Sequence, residues 1–348
     1  MARLLDGLIQ VHQRIRVVVA GLIRQRTVVW IAVAVAAVLP FAVSTLGMDY
    51  LVGLFTRVLI FALAGVSLNF ILGYGGLVSF GHAAFFGTGA YVVGILSYHA
   101  SIGEPLPLLA WLPPGTELAW IAWPLSAAVA AMLALVIGAI CLRTSGLYFI
   151  MITLAFAQMI YYFAISVPTY GGEDGLSMWS RSTMWPLDLS GDTQFYYVVL
   201  VIVLITLRIV QTVVGSRFGR VLRGIRDNEK RMIALGFPTY RYKLTAFVIS
   251  AALAGLAGAL MANQTEFVSP SFLDWHRSGD LLVIVILGGI GTLFGPVAGA
   301  MTYILLEEFL SMWTEHWMIV LGPILILVVL YAKGGVWGLV DRGESIRE

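Results

Sequence analysis

Charged residues and cysteine are both scarce in this chain of 348 residues. Charged side chains make up 11% of the sequence and hydrophobic ones 59%, whereas a soluble domain carries about 25% charged residues. A chain this apolar could not cover a water-facing surface with polar groups, so its solvent must be lipid. The single cysteine, Cys141, lies inside an apolar run, which excludes an intramolecular disulfide and a thiolate metal cluster.

Sequence signatures of catalysis are also missing. The chain contains no phosphate-binding loop of the form G-x-x-x-x-G-K-S/T, so it is not itself an ATPase. It has neither an H-E-x-x-H motif nor a convincing nucleophile–base set, which makes an intramembrane enzyme a distant alternative. We therefore expect no cofactor, no metal and no nucleic-acid partner.

Long apolar runs indicate an all-α integral membrane protein. Runs of about 20 apolar residues are long enough to cross a bilayer as helices. The candidate spans lie near 28–46, 50–72, 77–99, 119–141, 146–168, 195–214 and 244–265, with further apolar stretches at 281–305 and 317–332.

Charge placement predicts the orientation of these spans, because cytoplasmic loops carry an excess of Lys and Arg. The basic segments are 1–27, the loop 215–243 and the tail 333–348, whereas the loops 100–118 and 169–194 are mainly acidic. Both termini are therefore expected in the cytoplasm, with the acidic loops on the opposite side of the membrane. The membrane domain would span 28–332.

The stretch 281–310 does not fit a single crossing. Four glycines and a proline fall within Leu287–Pro296, and both residue types are poor in a helix interior. We expect a Gly-broken, re-entrant pair that returns to the outer side, which leaves about eight full crossings. A weak similarity between 72–84 and 287–298 is compatible with an inverted internal repeat.

The N-terminal segment 1–27 has apolar residues at helical spacing and several arginines. Its basic region is too long for a signal peptide. An amphipathic helix on the inner leaflet and an unstructured basic arm explain it equally well.

A first candidate site lies in the Gly-rich segment from Asn69 to Tyr91. Polar side chains stand beside the glycines there, and broken helices expose backbone groups that can hold a charged substrate. The expected residues of a substrate pathway are Asn69, Ser79, His82, Gly288 and Gly289. Tight helix packing is the competing explanation for the glycines, and a structural hydrogen bond is the competing one for His82.

A second candidate lies in the cytoplasmic loop. Apolar residues recur at helical spacing from Val221 to Leu235, and Gly236 and Pro238 end the helix. Such a helix could dock on a soluble partner or lie on anionic lipid, and the pattern leaves both open.

These segments resemble the permeases of branched-chain amino acid ABC importers, the LivM/LivH type. The family pattern N-x3-G-x2-G-x2-S-x-G-H-A-A-F-x-G-x-G-A-Y is present at 69–91. The pattern R-x2-R-D-N-E-x2-A-x3-G falls at 223–236, except that Ala234 stands two residues before the glycine, where the pattern puts an alanine earlier. The resemblance extends over nearly all of 50–340. Length and the Gly171–Leu176 loop favour the LivM-like type.

The resemblance implies a complex of several subunits in the inner membrane of a bacterium. This chain would translocate leucine, isoleucine and valine beside a LivH-like permease, with two cytoplasmic ATP-binding subunits and a periplasmic binding protein. The implied ATPase-coupling residues are Arg223, Arg226, Asp227, Asn228, Glu229, Ala234 and Gly236. Glu229 departs from the usual ABC pattern, because it precedes Gly236 by one residue more than usual. Lys230 and Arg231 replace the usual paired alanines.

Two other transport functions remain as alternatives. Related importers carry urea or short amides. A channel or secondary transporter would need no ATP, but it would be expected to carry embedded carboxylates, and the acidic residues here lie almost entirely in loops.

Overall fold

The computed structural model describes residues 29–45, 47–103, 115–314, 316–331 and 334–340, which are mainly α-helical. The helices are α1 (Val29–Thr45), α2 (Tyr50–Leu72), α3 (His82–Ile102), α4 (Ala119–Cys141), α5 (Leu147–Ile165), α6 (Asp192–Gly215), α7 (Arg217–Ala234), α8 (Thr239–Thr265), α9 (Trp275–Gly288), α10 (Gly295–Ser311), α11 (Trp317–Tyr331) and α12 (Gly335–Val340). The structure also has two short strands, β1 (Leu176–Ser177) and β2 (Phe267–Val268), which pair antiparallel. The expected all-α membrane architecture is confirmed. The segments 1–27 and 341–348 lie outside the described residues.

The helices run between two ends that can be named by what lies there. At the α7 end, α6 passes into α7 and α7 passes into α8. At the β end lie β1 and β2, the N-terminus of α2 and the C-terminus of α10, where Glu307 pairs with Arg57 at 2.8 Å. The basic loop 215–243 thus lies at one end, and the acidic segment 169–194 lies at the other.

Helices α2, α3 and α8 form the packed centre. Where α3 meets α8, a Cβ on Gly89 would overlap the carbonyl of Gly255, and a Cβ on Gly258 would overlap the carbonyl of Phe86. Small residues allow this backbone-to-backbone approach, which association in lipid requires because apolar side chains gain little there.

Helices α4, α5 and α6 form much of the periphery. Together with α2 and α8 they are the five described helices that are long and apolar enough to cross a membrane, while α1 and the apolar part of α11 are shorter. Helix α5 is the least buried of the five. Its outer face exposes Tyr148, Met151, Met159 and Phe163.

The span predicted at 77–99 begins differently in the structure, because α3 starts at His82. Residues 73–81, the α2–α3 linker, are irregular and lead from the α7 end into the bundle. The backbone N–H of Ala83 donates to Ser278 Oγ on α9 at 2.8 Å. Irregular backbone is tolerated at this depth because surrounding protein satisfies its polar groups. The apolar run that predicted the span included residues 77–81 of this linker.

The break expected within 281–310 is present. Helix α9 ends at Gly288 and α10 begins at Gly295, and the pair enters and returns at the β end. The connecting turn, 289–294, lies beside Gly73 at the C-terminus of α2. The pair therefore reaches the α7 end instead of turning back midway.

Candidate functional site

Helix α7 consists of two helical segments separated at Asn228. Asn228 is extended, with φ −161° and ψ 95°, and its Oδ1 accepts a hydrogen bond from the N–H of Arg231 at 3.0 Å. This is the geometry of a helix N-cap, in which a short polar side chain satisfies a free backbone donor. Residues 229–234, the tip helix, therefore form a separately capped helix at the α7 end.

The tip helix ends at a glycine that adopts a left-handed conformation. Gly236 has φ +86°, and the N–H of Phe237 donates to the carbonyl of Met232 at 3.1 Å. Glycine carries no steric penalty in this conformation, which explains the residue choice. Ile233 and Leu235, just before this glycine, are more than half exposed, and Ala234 between them is exposed as well. The end of the bundle thus presents apolar groups outward.

Polar contacts hold α7 to the bundle on both sides of the break. Before it, Arg226 Nη1 donates to the carbonyl of Gly73 at 2.6 Å, while Arg226 also pairs with Asp227. After it, Glu229 Oε1 pairs with Lys243 Nζ of α8 at 2.6 Å. Lys243 is buried, and Glu229 is the carboxylate that pairs with its ammonium group there.

The break in α7 also borders a groove. The groove has a volume of about 300 Å³ and lies between the α2–α3 linker, the connection from α4 to α5, and α7. Its walls combine apolar groups such as Ile150 and Ile225 with the charged Asp227 and Lys243. Arg223, by contrast, lies against the end of α6, where its Nη2 donates to the carbonyl of Val214 at 3.3 Å.

His82 lies fully buried at the start of α3. Its Nε2 lies 2.9 Å from Ser67 Oγ and 3.5 Å from Ser250 Oγ. Both serine hydroxyls already donate to carbonyls, of Ala64 and Ser67 respectively, so Nε2 must be the donor to Ser67. This leaves Nδ1 as a buried acceptor with no partner among the described residues.

The other pathway candidates contact protein backbone. Asn69 Nδ2 donates to the carbonyl of Thr292 at 2.8 Å, and Asn69 Oδ1 accepts from the N–H of Gly291 at 2.9 Å. Ser79 Oγ accepts from the N–H of Gly81 at 3.2 Å. Gly288 and Gly289 are buried, and a Cβ on Gly288 would overlap the carbonyl of Gly295. The groove at α7 is lined by none of the five, so their role in a substrate pathway stays a prediction.

The β end is held by a second polar cluster, around Arg181. Arg181 pairs with Asp192 at 2.6 Å and with Glu266 at 3.2 Å, and its Nε donates to the carbonyl of Asn263 at 3.1 Å. Its side chain is only 8% exposed. Arg181 therefore joins the 169–194 loop to α6 and α8.

Asp274, at the start of α9, belongs to the same end. Burial alone would raise the pKa of Asp274, but hydrogen bonds from His276 and Gln158, together with the charge of His276, outweigh it and hold that pKa below its ordinary value. The His276 Nδ1–Asp274 Oδ2 distance is 2.8 Å.

The residues that join the elements were largely missed by sequence reasoning. Gly73, Ser67, Ser250 and Lys243 all complete contacts described above, yet none was selected as a site residue. The available signals were weak: serines on apolar helices and one lysine among many basic residues. A charged residue near the start of an apolar span, as at Lys243, could have indicated a paired position.

Most of this chain is similar to known transport proteins. Residues 50–329 match the family model described as the permease component of branched-chain amino acid transport systems. The LivM permease protein of the high-affinity branched-chain amino acid transport system of Salmonella typhimurium is 27% identical over 338 residues, covering 90% of this chain and 75% of the relative.

Further relatives come from the same systems. The LivM protein of Escherichia coli K12 is 26% identical over 338 residues, with the same 90% and 75% coverage. The LivH permease protein of the same strain is 31% identical over 125 residues, which are 35% of this chain and 40% of the relative. No solved structure matches the chain.

Proposed function

The chain belongs to the family of permease components of branched-chain amino acid transport systems, and from this membership we propose that it is the LivM-like membrane subunit of an ATP-driven importer. Its cargo would be leucine, isoleucine and valine. A LivH-like permease, two ATP-binding subunits and an external binding protein would complete the machine, because the chain carries no nucleotide-binding loop of its own.

The observation that carries the ATP-driven mechanism is the tip helix. It is independently capped at Asn228, ended at Gly236 and exposed beyond the bundle with apolar side chains outward. An amphipathic helix presented in this way fits a groove on a soluble protein. It would contact the ATP-binding subunits.

The distribution of charge between the two ends of the bundle supports an orientation in the membrane. The α7 end carries the basic residues 217–243 and the β end carries the acidic segment 169–194. By the excess of Lys and Arg on cytoplasmic loops, the α7 end faces the cytoplasm and the β end faces the binding protein outside the inner membrane.

The test is uptake by the complete importer reconstituted in liposomes. We expect leucine uptake that requires both ATP and the binding protein, with urea neither transported nor competing. A control importer whose ATP-binding subunits cannot hydrolyse ATP should bind leucine outside but accumulate none. ATP-independent leucine uptake by this chain alone would contradict the proposal, and ATP-dependent urea uptake would replace its cargo.

A further inference from the structure

The break in α7 separates two anchors that reach different helices. Arg226, before the break, contacts Gly73 at the end of α2, and Glu229, after it, contacts Lys243 on α8. A movement of α7 as a whole would therefore act on two parts of the bundle through separate side chains.

The Arg226 contact continues further into the bundle. Gly73 ends α2 and begins the α2–α3 linker, and its N–H donates to the carbonyl of Asn69 at 2.7 Å. Asn69 in turn holds both Gly291 and Thr292 of the α9–α10 turn through its side-chain amide. A planar amide that donates and accepts at once fixes the turn in position as well as in orientation.

Close packing makes this arrangement stiff. A Cβ on Gly73 would lie 2.5 Å from the N of Gly291, and a Cβ on Gly76 would lie 2.8 Å from Cγ of Arg226. The turn is also packed from its other side, since a Cβ on Gly289 would lie 2.5 Å from the carbonyl oxygen of Gly334. Because Gly73 and the α9–α10 turn are in direct contact, a displacement of Gly73 acts on the turn.

We propose that Arg226 and Asn69 are positioning residues that transmit movement of α7 to the α9–α10 pair and to the α2–α3 linker. Asn69 then acts by holding the turn, not by touching substrate. The use of this contact chain in transport rests on the proposed function, whereas its mechanical linkage does not.

The linkage is tested on the chain alone, purified in detergent, by hydrogen–deuterium exchange. R226M removes the donor and keeps much of the side-chain stem. It should raise exchange in peptides covering 69–76 and 288–295 by about tenfold, the factor that corresponds to losing a charge-assisted hydrogen bond. E229Q is the matched variant across the break and should raise exchange near Lys243 instead. If R226M raised exchange in α7 alone and left the peptides 69–76 and 288–295 as in the wild type, the proposal would be overturned.

The use in transport is tested with the complete importer. Three variants, R226M, N69L and N69D, should lower leucine uptake per ATP hydrolysed without changing the KM for leucine. The Asp side chain of N69D can still accept from Gly291 but cannot donate to Thr292. R220M removes an exposed arginine from the same segment of α7 and should leave the ratio unchanged.

The double variant discriminates a shared route from separate effects. Because both side chains serve one contact chain, R226M/N69L should lose no more uptake per ATP than the worse single variant. A loss of uptake per ATP in the double variant equal to the product of the two single losses would overturn the proposal. So would single variants with a raised KM for leucine and unchanged uptake per ATP. A wild-type importer without ATP-dependent uptake would refute the proposed function, and the exchange result would then decide the linkage by itself.

Discussion

The N-cap at Asn228 permits a quantitative prediction about the tip helix. The Oδ1 of Asn228 accepts from Arg231 N–H, and the helix that it begins is only six residues long, 229–234. A helix this short is not stable alone, so it depends on its caps and on the burial of Met232. N228A removes the cap and should cost about 1 kcal/mol, which raises the population of the opened tip helix about fivefold.

Hydrogen–deuterium exchange of the purified chain measures this directly. In N228A, peptides covering 229–237 should exchange about fivefold faster, while α8 remains unchanged. N228S preserves a capping oxygen and should restore most of the protection. Equal protection in N228A and wild type, or equal loss in N228A and N228S, would show that the cap does not hold the tip helix.

Three further predictions concern packing and charge, each read out by thermal unfolding in detergent. G89A should lower stability by about 1–3 kcal/mol, because the added methyl meets backbone on α8; G279A, in open space on α9, should be near neutral, and equal effects would contradict the packing. R181M should cost about 1–3 kcal/mol of stability, because backbone carbonyls and carboxylates lose their partner. R217M, at the exposed start of α7, should cost little. Similar losses in the two variants would refute the role of Arg181 in joining the 169–194 loop to α6 and α8. Because the pKa of Asp274 is lower in the folded protein, its carboxylate stabilises the fold at pH values above its unfolded pKa of about 3.9, and this stability is lost as the pH falls through its folded pKa. D274N should remove this loss of stability in acid. A D274N protein with the same dependence of stability on pH as the wild type would show that Asp274 does not cause it.

Much of the fold was predictable from local signals. Long apolar runs marked most helices to within a few residues, and the glycines of Leu287–Pro296 indicated the break between α9 and α10. Gly236 correctly marked the end of the helix in the basic loop. These features follow from composition and from residue-specific backbone preferences, which act within a few residues.

The errors arose where a local pattern had two structural solutions. Residues 77–81 continue an apolar run and suited a helix, but the linker is irregular. Its backbone bonds to the end of α2, to Ser79 and to Arg226 of α7. The basic loop suited one continuous helix from Val221 to Leu235, yet Asn228 divides it because its side chain caps the second segment better than it serves the first.

The sequence by itself determined that this protein lies in a membrane, which end carries the basic charge, and where the glycine breaks fall. Scarcity of charge and the length of apolar runs indicate the membrane, because both depend on the solvent. The distribution of Lys and Arg along the chain separates the two ends, and the poor fit of glycine in a helix interior marks the breaks. Only the tertiary structure decided that Asn69 holds a turn more than 200 residues away and that Arg226 contacts Gly73. Such pairs join segments far apart in the chain, and whether a polar group at membrane depth meets substrate or backbone depends on what packing brings beside it.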